Sequence, residues 1–150
     1  GSREAEAHYW IGAAHAVLGD RAKARAHWEK AAAGGAARTG APSATASAQS
    51  FYRAMALEKL GRGQEAEAIY RELVHEGSRT LEQGSREIDF FASFGEQQSQ
   101  RSRIAAAHYL KGLGHLGLGE TQRAREELRQ ALRFMPDHLG ARAELAQLTR

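Results

Sequence analysis

The feature that most constrains the fold is a pattern that occurs three times along the chain and aligns without gaps. The copies are "AEAHYWIGAAHAVLGDRAKARAHWEKAA" from Ala5, "SAQSFYRAMALEKLGRGQEAEAIYRELV" from Ser47 and "AAAHYLKGLGHLGLGETQRAREELRQAL" from Ala105. Each copy has a small residue at its eighth position, glycine at its fifteenth, alanine at its twentieth and a bulky apolar residue at its twenty-fourth. In that order the residues are Gly12, Ala54 and Gly112; Gly19, Gly61 and Gly119; Ala24, Ala66 and Ala124; and Trp28, Tyr70 and Leu128. Such a recurrence indicates one structural unit used three times.

The pattern is typical of a pair of packed helices. Ala, Leu, Glu, Arg and Gln favour helix, small residues allow two helices to approach closely, and glycine readily adopts the left-handed conformation that ends a helix. We therefore predict an all-α protein with helices over 3–18, 21–33, 47–60, 64–76, 97–118 and 121–135. The last segment, 137–149, is amphipathic and is predicted to form a capping helix with Asp137 as its N-cap.

The repeated unit resembles the tetratricopeptide repeat (TPR), a helix-turn-helix unit of about 34 residues whose signature has small residues at positions 8 and 20, a bulky residue at 24 and proline at 32. Pro136 occupies that last position in the third copy. The resemblance implies a right-handed α-solenoid of three TPR hairpins in a single domain, 1–150, with an inserted segment and a C-terminal capping helix. The three repeats would span 5–33, 47–77 and 105–136.

Two segments interrupt the repeats. The first, 34–46, is small and polar, and is predicted to be a mobile surface loop. The second, 78–100, contains Phe90, Phe91 and Phe94, and burying each ring is worth about 1.5 to 3 kcal/mol. We expect a short helix around 86–94 that packs on the repeats, where it either completes the core or presents an aromatic patch to a partner.

A narrower resemblance involves the order of "HYWIGAAHAVLGD", "FYRAMALEKLG", "EIDFFA", "YLKGLGHLGLGE" and "PDHLGAR". This order is similar to the C-terminal helical-repeat region of large bacterial proteins that carry an upstream β-sandwich domain of unknown function, associated with carbohydrate. In that family a leucine-proline and acidic stretch usually follows "EIDFFA", whereas "SFGEQQSQ" follows it in this chain. The resemblance implies an accessory role beside a carbohydrate-active site as a third functional hypothesis, and it implies no mechanism.

Composition excludes several classes of protein. The absence of cysteine excludes disulfides and thiolate metal sites and fits a reducing compartment, so we predict a cytoplasmic location. The 21 basic and 18 acidic residues are interleaved, which is typical of a mixed solvated surface and not of a nucleic-acid interface. No apolar run approaches the roughly 18 residues of a membrane span. The opening "GS", without methionine, is typical of an excised piece, so we expect a larger parent protein.

The histidines are the first candidates for chemistry. His8 and His15 recur as His108 and His115 at the same repeat positions. Seven residues of helix separate each pair by about 10.5 Å along the axis, too far for both to bind one metal ion. We therefore predict core or half-buried structural roles for them. No nucleophile, histidine and carboxylate motif and no phosphate-binding loop is recognisable, so we predict no enzyme activity, no metal and no cofactor.

A stripe of arginines is the second candidate. Arg125, Arg129 and Arg133 recur at a spacing of four along the predicted sixth helix. Like charges at this spacing repel each other slightly and usually face solvent. We predict a solvated outer face, with binding of an acidic peptide as the alternative.

The resemblance to the TPR family implies a concave groove lined by the first helix of each unit. Its residues in this chain would be Tyr9, Ala13, Ala16, Phe51, Met55, Tyr109, Leu113 and Leu116. We predict a non-catalytic scaffold that binds a protein or peptide segment, or another domain of its parent protein, through this apolar groove. The alternative is a self-associating or spacer module, a homo-oligomer, whose groove is filled by its own insert through Phe90, Phe91 and Phe94.

Overall fold

The computed structural model describes residues 3–34, 44–86 and 94–149. Within these ranges the chain forms α-helices and no strand, so the prediction of an all-α protein is confirmed. The helices are α1 (Glu4–Val17), α2 (Arg21–Ala33), α3 (Ala44–Lys59), α4 (Gly63–Arg86), α5 (Phe94–Gly117), α6 (Thr121–Phe134) and α7 (Leu139–Leu148).

The largest departure from the predicted boundaries is in α4. The sequence predicts an end near residue 76, but the helix continues to Arg86. A Cβ atom on Gly77 would lie 2.6 Å from the carbonyl oxygen of Ala107 in α5. Glycine at this position therefore permits a close helix contact and does not end the helix.

The start of α7 also differs from the prediction. Asp137 is not the N-cap, because His138 occupies that position. The Nδ1 atom of His138 accepts a hydrogen bond from the backbone N–H of Ala141 at 3.2 Å. The imidazole thus satisfies one of the free N–H groups at the start of the helix, a role that an aspartate more often fills.

The fifteenth-position glycines end the first helix of each pair, as predicted. Their φ angles are +85°, +80° and +78° at Gly19, Gly61 and Gly119. At the end of α1 the backbone N–H of Asp20 donates to the carbonyl of His15 at 2.9 Å, and that of Gly19 donates to Ala16 at 3.1 Å. The same pair of bonds recurs after α3 and α5. These bonds satisfy carbonyls that the helix leaves free, and the left-handed φ favours glycine.

Close contact between paired helices occurs where the repeat has its eighth residue. In the α1–α2 pair, a Cβ atom on Gly12 would lie 2.6 Å from Nε1 of Trp28. In the α5–α6 pair, a Cβ atom on Gly112 would lie 2.8 Å from Cδ2 of Leu128. The small eighth residue therefore makes room for the bulky twenty-fourth residue of the same pair. The twentieth-position alanines are buried, as predicted: Ala24, Ala66 and Ala124.

The chain divides into two compact units, Gly1–Tyr70 and Arg71–Arg150, and the division falls inside α4. In the first unit α3 packs on both α1 and α2. The core of this unit includes Tyr9, Ala31 and Ala56.

In the second unit α6 packs against both α5 and α7. The buried side chains of this unit include Leu110, Leu113 and Leu128. An Nη atom of Arg125 in α6 donates to the carbonyl oxygen of Leu148 at 3.3 Å, which ties the end of α7 to α6. The solvated role predicted for the arginine stripe is therefore wrong at Arg125, because that side chain is half-buried under α7.

Candidate binding surfaces

In the first unit the predicted groove residues are divided between the core and the surface. Tyr9 and Phe51 are buried, Ala13 and Met55 are half-buried, and Ala16 is exposed. The two aromatic rings therefore contribute to the core of the unit. Of this set, Ala16 is the residue most accessible to a partner.

In the second unit most of the predicted groove residues are buried, and Tyr109 lies under the start of α7. Tyr109 and Leu113 are buried, and Leu116 is half-buried. The ring of Tyr109 lies 4.7 Å from that of His138, measured between centroids. A Cβ atom on Gly140 would lie 2.7 Å from the Tyr109 hydroxyl. The capping helix therefore covers the position at which the resemblance implies an open surface.

The phenylalanines of the insert cannot be assigned to either proposed role. Phe90 and Phe91 lie outside the described residues, and so does most of the helix predicted around 86–94. Helix α5 begins at Phe94, but the side chain of Phe94 also lies outside the description. Most of the first interruption, 34–46, is likewise outside the described residues.

A large exposed apolar surface lies on α1. Trp10 and Ile11 are 48% and 42% exposed, and Val17 and Leu18 are 88% and 80% exposed. Two exposed alanines continue the same spacing of three and four residues, which places all these side chains on one helix face. We name this set the α1 stripe: Ala7, Trp10, Ile11, Ala14, Val17 and Leu18. A contiguous exposed apolar surface of this kind usually marks an interaction site.

The sequence indicates only some features of the α1 stripe. Its helical spacing is visible in "AHYWIGAAHAVL". The resemblance, however, directs attention to repeat positions 2, 5, 9, 12 and 13. The stripe occupies positions 3, 6, 7, 10, 13 and 14, so the two sets share only position 13, Val17. Which face of α1 is left uncovered depends on the packing of α2 and α3, and the sequence does not give that packing.

An open cavity of about 320 Å³ lies in the first unit. Its lining combines apolar side chains with three cations: Ala16, Ala24, Trp28 and Leu60, with Arg21, Arg25 and Lys59. Arg25 is also paired with Glu29 at 3.3 Å. Positive charge beside an indole ring suits an acidic segment that carries an apolar side chain. The cavity is a second candidate surface, and it includes the predicted groove residue Ala16.

Three histidines meet in the α1–α2 pair. The ring of His27 stacks on those of His8 and His15, with centroid distances of 5.3 and 5.5 Å. The Nδ1 atoms of His8 and His27 are 3.1 Å apart, so one ring donates and the other accepts. Desolvation lowers the pKa of His27, and the nearby charge of Lys30 lowers it further. Sequence spacing alone misses this cluster because His27 lies on the other helix.

In the second unit the matching histidine has a carboxylate partner. Nδ1 of His108 donates to Glu127 at 2.6 Å, and Nζ of Lys111 lies 3.0 Å from the other oxygen. Burial raises the pKa of Glu127, but the hydrogen bonds from His108 and Lys111 outweigh that effect and hold the pKa below its usual value. Nδ1 of His115 donates to Glu120 at 3.1 Å. These contacts stabilise the α5–α6 pair.

The predicted structural role of the four recurring histidines agrees with their burial. His115 is buried, and His8, His15 and His108 are half-buried. Across residues 3–34, 44–86 and 94–149, no group of three or more His, Cys, Asp or Glu side chains is arranged to hold a metal ion. In the same residues no helix combines the length and apolarity needed to cross a bilayer.

In the described part of the chain, the fold is all-α and contains paired helices, and α1 presents an exposed apolar face. Comparison with known proteins adds no relative to this description, because no protein-family model, no curated protein and no solved structure matches the chain.

Proposed function

We propose that this chain is a non-catalytic interaction module that binds a segment of a partner protein or a neighbouring domain of its parent protein. The α1 stripe is the observation that carries the proposal. Its side chains remain in water although the hydrophobic effect favours their burial, and they form one continuous face and not scattered single residues. We further propose that the paired helices stack as a right-handed solenoid of the TPR kind.

Two other sets of residues support a binding role. The cavity lined by Trp28, Arg21 and Lys59 offers apolar contact and positive charge together. Among the predicted groove residues, Ala16 is exposed, and Ala13 and Met55 are half-buried. These residues supply a secondary contact area for the same partner.

The perturbed ionisable groups of the two helix pairs support a non-catalytic role. His27 is stacked between two other histidines, and Glu127 is held by His108 and Lys111. Each of these groups already has structural partners. Perturbed pKa values arise from structural ion pairs as well as from catalytic sites.

A selection experiment tests the proposal. A displayed library of amphipathic helical peptides is panned against the immobilised chain and against a variant carrying Trp10→Glu and Leu18→Lys. We expect the chain to enrich peptides with a continuous apolar face, and we expect the double variant to bind them at least tenfold more weakly. Affinities are measured by isothermal titration calorimetry.

A matched control distinguishes the α1 stripe from the predicted groove. The variant Ala16→Glu changes an exposed groove residue on the same helix and leaves the stripe intact. We expect it to retain most of the binding. If the library yields no sequence that prefers the unmodified chain to the double variant, the stripe does not bind single helical segments and the proposal fails.

Self-association is the second candidate function. It is favoured by Leu139, which is 79% exposed on α7, and by the exposed Ala143 and Ala146 further along that helix. Light scattering over a range of concentrations separates the two candidates. A monomer supports partner binding, whereas a dimer that the Leu139→Lys variant dissolves supports self-association.

A further inference from the structure

Several repeat positions that are exposed on α1 are covered by other helices on α3. Repeat positions 6 and 7 are Tyr52 and Arg53 on that helix. The ring of Tyr52 lies 5.6 Å from that of Tyr9 in α1, and Nε of Arg53 donates to the carbonyl oxygen of Ala32 at 3.1 Å. At position 10, Ala56 is fully buried. This face of α3 is therefore the one that packs on the preceding helix pair, α1–α2.

The same face is covered on α5. Repeat positions 3 and 7 are Ala107 and Lys111, and both would touch a Cβ atom on Gly77 of α4 at 2.6 Å. At positions 6 and 10, Leu110 and Gly114 are buried. In the second copy, repeat positions 6, 7 and 10 thus face the preceding helix pair. In the third copy, positions 3 and 7 lie against α4, and positions 6 and 10 are buried.

On α1 these positions are Ala7, Trp10, Ile11 and Ala14, and all four are exposed. The ring of Trp10 contacts those of Tyr52 and Tyr9, with centroid distances of 6.0 and 5.1 Å, and Trp10 remains 48% exposed. We propose that the α1 stripe docks a further antiparallel helix pair of the same repeat type as α1–α2. This inference rests on the proposed function and names the chemistry of the partner, namely an apolar two-helix face with small residues at the contact.

A second copy of this chain is a poor occupant through its α1–α2 or α5–α6 pair, because another helix already covers the corresponding face of each of these two pairs. The face of α1–α2 is taken by α3. The face of α5–α6 is taken by α7, which covers Tyr109 as α3 covers Tyr9. A symmetric pairing through the α1 stripe would place α1 against α1. A helix of 14 residues is about 21 Å long and about 10 to 12 Å wide, so we expect a contact between two such stripes to be smaller than the roughly 1,200 Å² of a stable interface.

The α1–α2 pair itself is a suitable probe for the proposed partner, because it already accepts this face from α3. The two faces match at position 10, where Ala14 corresponds to Ala56, and both have an aromatic residue at position 6, Trp10 and Tyr52. A pair that packs against α3 should therefore pack against α1 with small adjustments.

A tandem variant tests the inference. A second copy of residues 5–46 is inserted immediately before Ala5, so that the added pair precedes α1 at the spacing by which α1–α2 precedes α3. Because the chain has no cysteine, Ala14→Cys in the original α1 provides a single thiol in the stripe. Its rate of modification by a water-soluble maleimide reports whether the stripe is covered.

We expect the thiol to react at least tenfold more slowly in the tandem variant than in the unextended chain. The substitution Ala68→Cys, at an exposed position of α4, serves as the control, and its thiol should react at the same rate in both proteins. Adding Trp10→Glu and Ile11→Glu to the original α1 of the tandem variant should restore fast modification.

Equal modification rates of the Ala14→Cys thiol in the tandem variant and the unextended chain would overturn the inference. Modification that slows as the concentration of the unextended chain rises would also overturn it, because a second copy would then be the occupant. Either result leaves the proposed function standing if the peptide selection succeeds. An unsuccessful selection together with a protected thiol would reject general partner binding while retaining the docking of a helix pair.

Discussion

At the scale of single residues, glycine has two roles in this chain that the sequence does not separate. Gly19 and its equivalents end helices, and their fixed place in the repeat makes that role predictable. Gly77 is inside α4, where the carbonyl of Ala107 approaches it. Because Ala107 is distant in sequence, no local pattern indicates the contact, and the sequence places a helix end where the helix continues.

Gly77 and Gly84 provide a matched pair of substitutions within α4. A Cβ atom at Gly77 would meet backbone at 2.6 Å, whereas one at Gly84 would meet nothing within 4 Å. We expect Gly77→Ala to lower the free energy of unfolding by about 1 to 3 kcal/mol through overpacking. Gly84→Ala should raise it by about 0.5 to 1 kcal/mol because alanine favours helix. Urea denaturation followed by circular dichroism measures both changes in the free energy of unfolding. If the two changes had the same sign, the contact between Gly77 and Ala107 would be contradicted.

The carboxylate of Glu127 predicts how the free energy of unfolding changes at acid pH. Its pKa in the folded protein is below the ordinary value of 4.5, so its stabilising contribution is complete above that pH and is lost as the pH falls through the folded pKa. We expect Glu127→Gln to lower the free energy of unfolding by about 1 to 3 kcal/mol at pH 7, because the charged hydrogen bonds are lost. The difference between the variant and the unmodified chain should approach zero as the pH falls below the folded pKa of Glu127. Urea titrations at neutral and acid pH test this, with the exposed neighbour Glu126→Gln as the control.

At the scale of elements, the helix pair is the unit that the sequence predicts well. Small residues at fixed positions, glycine at the turn and an uninterrupted helical composition all favour the same local structure, and α2 matches its predicted range at both ends. The N-cap of α7 is less predictable, because aspartate is the more frequent cap and His138 displaces it. The ring of His138 also packs on Tyr109, a tertiary contact that a local cap rule does not include.

Alanine at the twentieth position should be sensitive to size. Ala66 is fully buried, and Ala68 on the same helix is exposed. We expect Ala66→Leu to lower the free energy of unfolding by about 1 to 3 kcal/mol. Ala68→Leu should change it by no more than about 0.5 kcal/mol. Thermal melts of the two variants are compared at one pH, and an unchanged melting temperature for Ala66→Leu would contradict the close packing around Ala66 in α4.

At the scale of the whole molecule, the sequence predicts the class of fold but not which helix faces remain open. Repeat recurrence and composition are sufficient for an all-α protein. The predicted groove relied on positions 5 and 9, where Tyr9, Phe51, Tyr109 and Leu113 are buried. Exposure depends on what each helix packs against, and that is a property of the assembled elements and not of the repeat.

The α1 stripe should be replaceable without loss of stability. Val17 and Leu18 are 88% and 80% exposed, and exposed positions usually change the free energy of unfolding by less than about 0.5 kcal/mol. We expect the Val17→Lys, Leu18→Lys variant to keep its melting temperature and to bind less of a fluorescent apolar dye. Lysine also suits the C-terminal end of a helix. A large drop in melting temperature would mean that these side chains are packed, which contradicts their described exposure.

Because α7 covers Tyr109, the two ends of the chain differ in their ability to pack against a further helix pair. If the proposed docking holds, a helix pair binds before α1, where the contact face is open, whereas a pair added after α6 would have to displace α7 first. Deleting α7 should therefore expose the face of the α5–α6 pair. A helix pair could then pack at both ends of the chain and not only against α1. We expect such a truncated chain to be more prone to open-ended association than the intact chain.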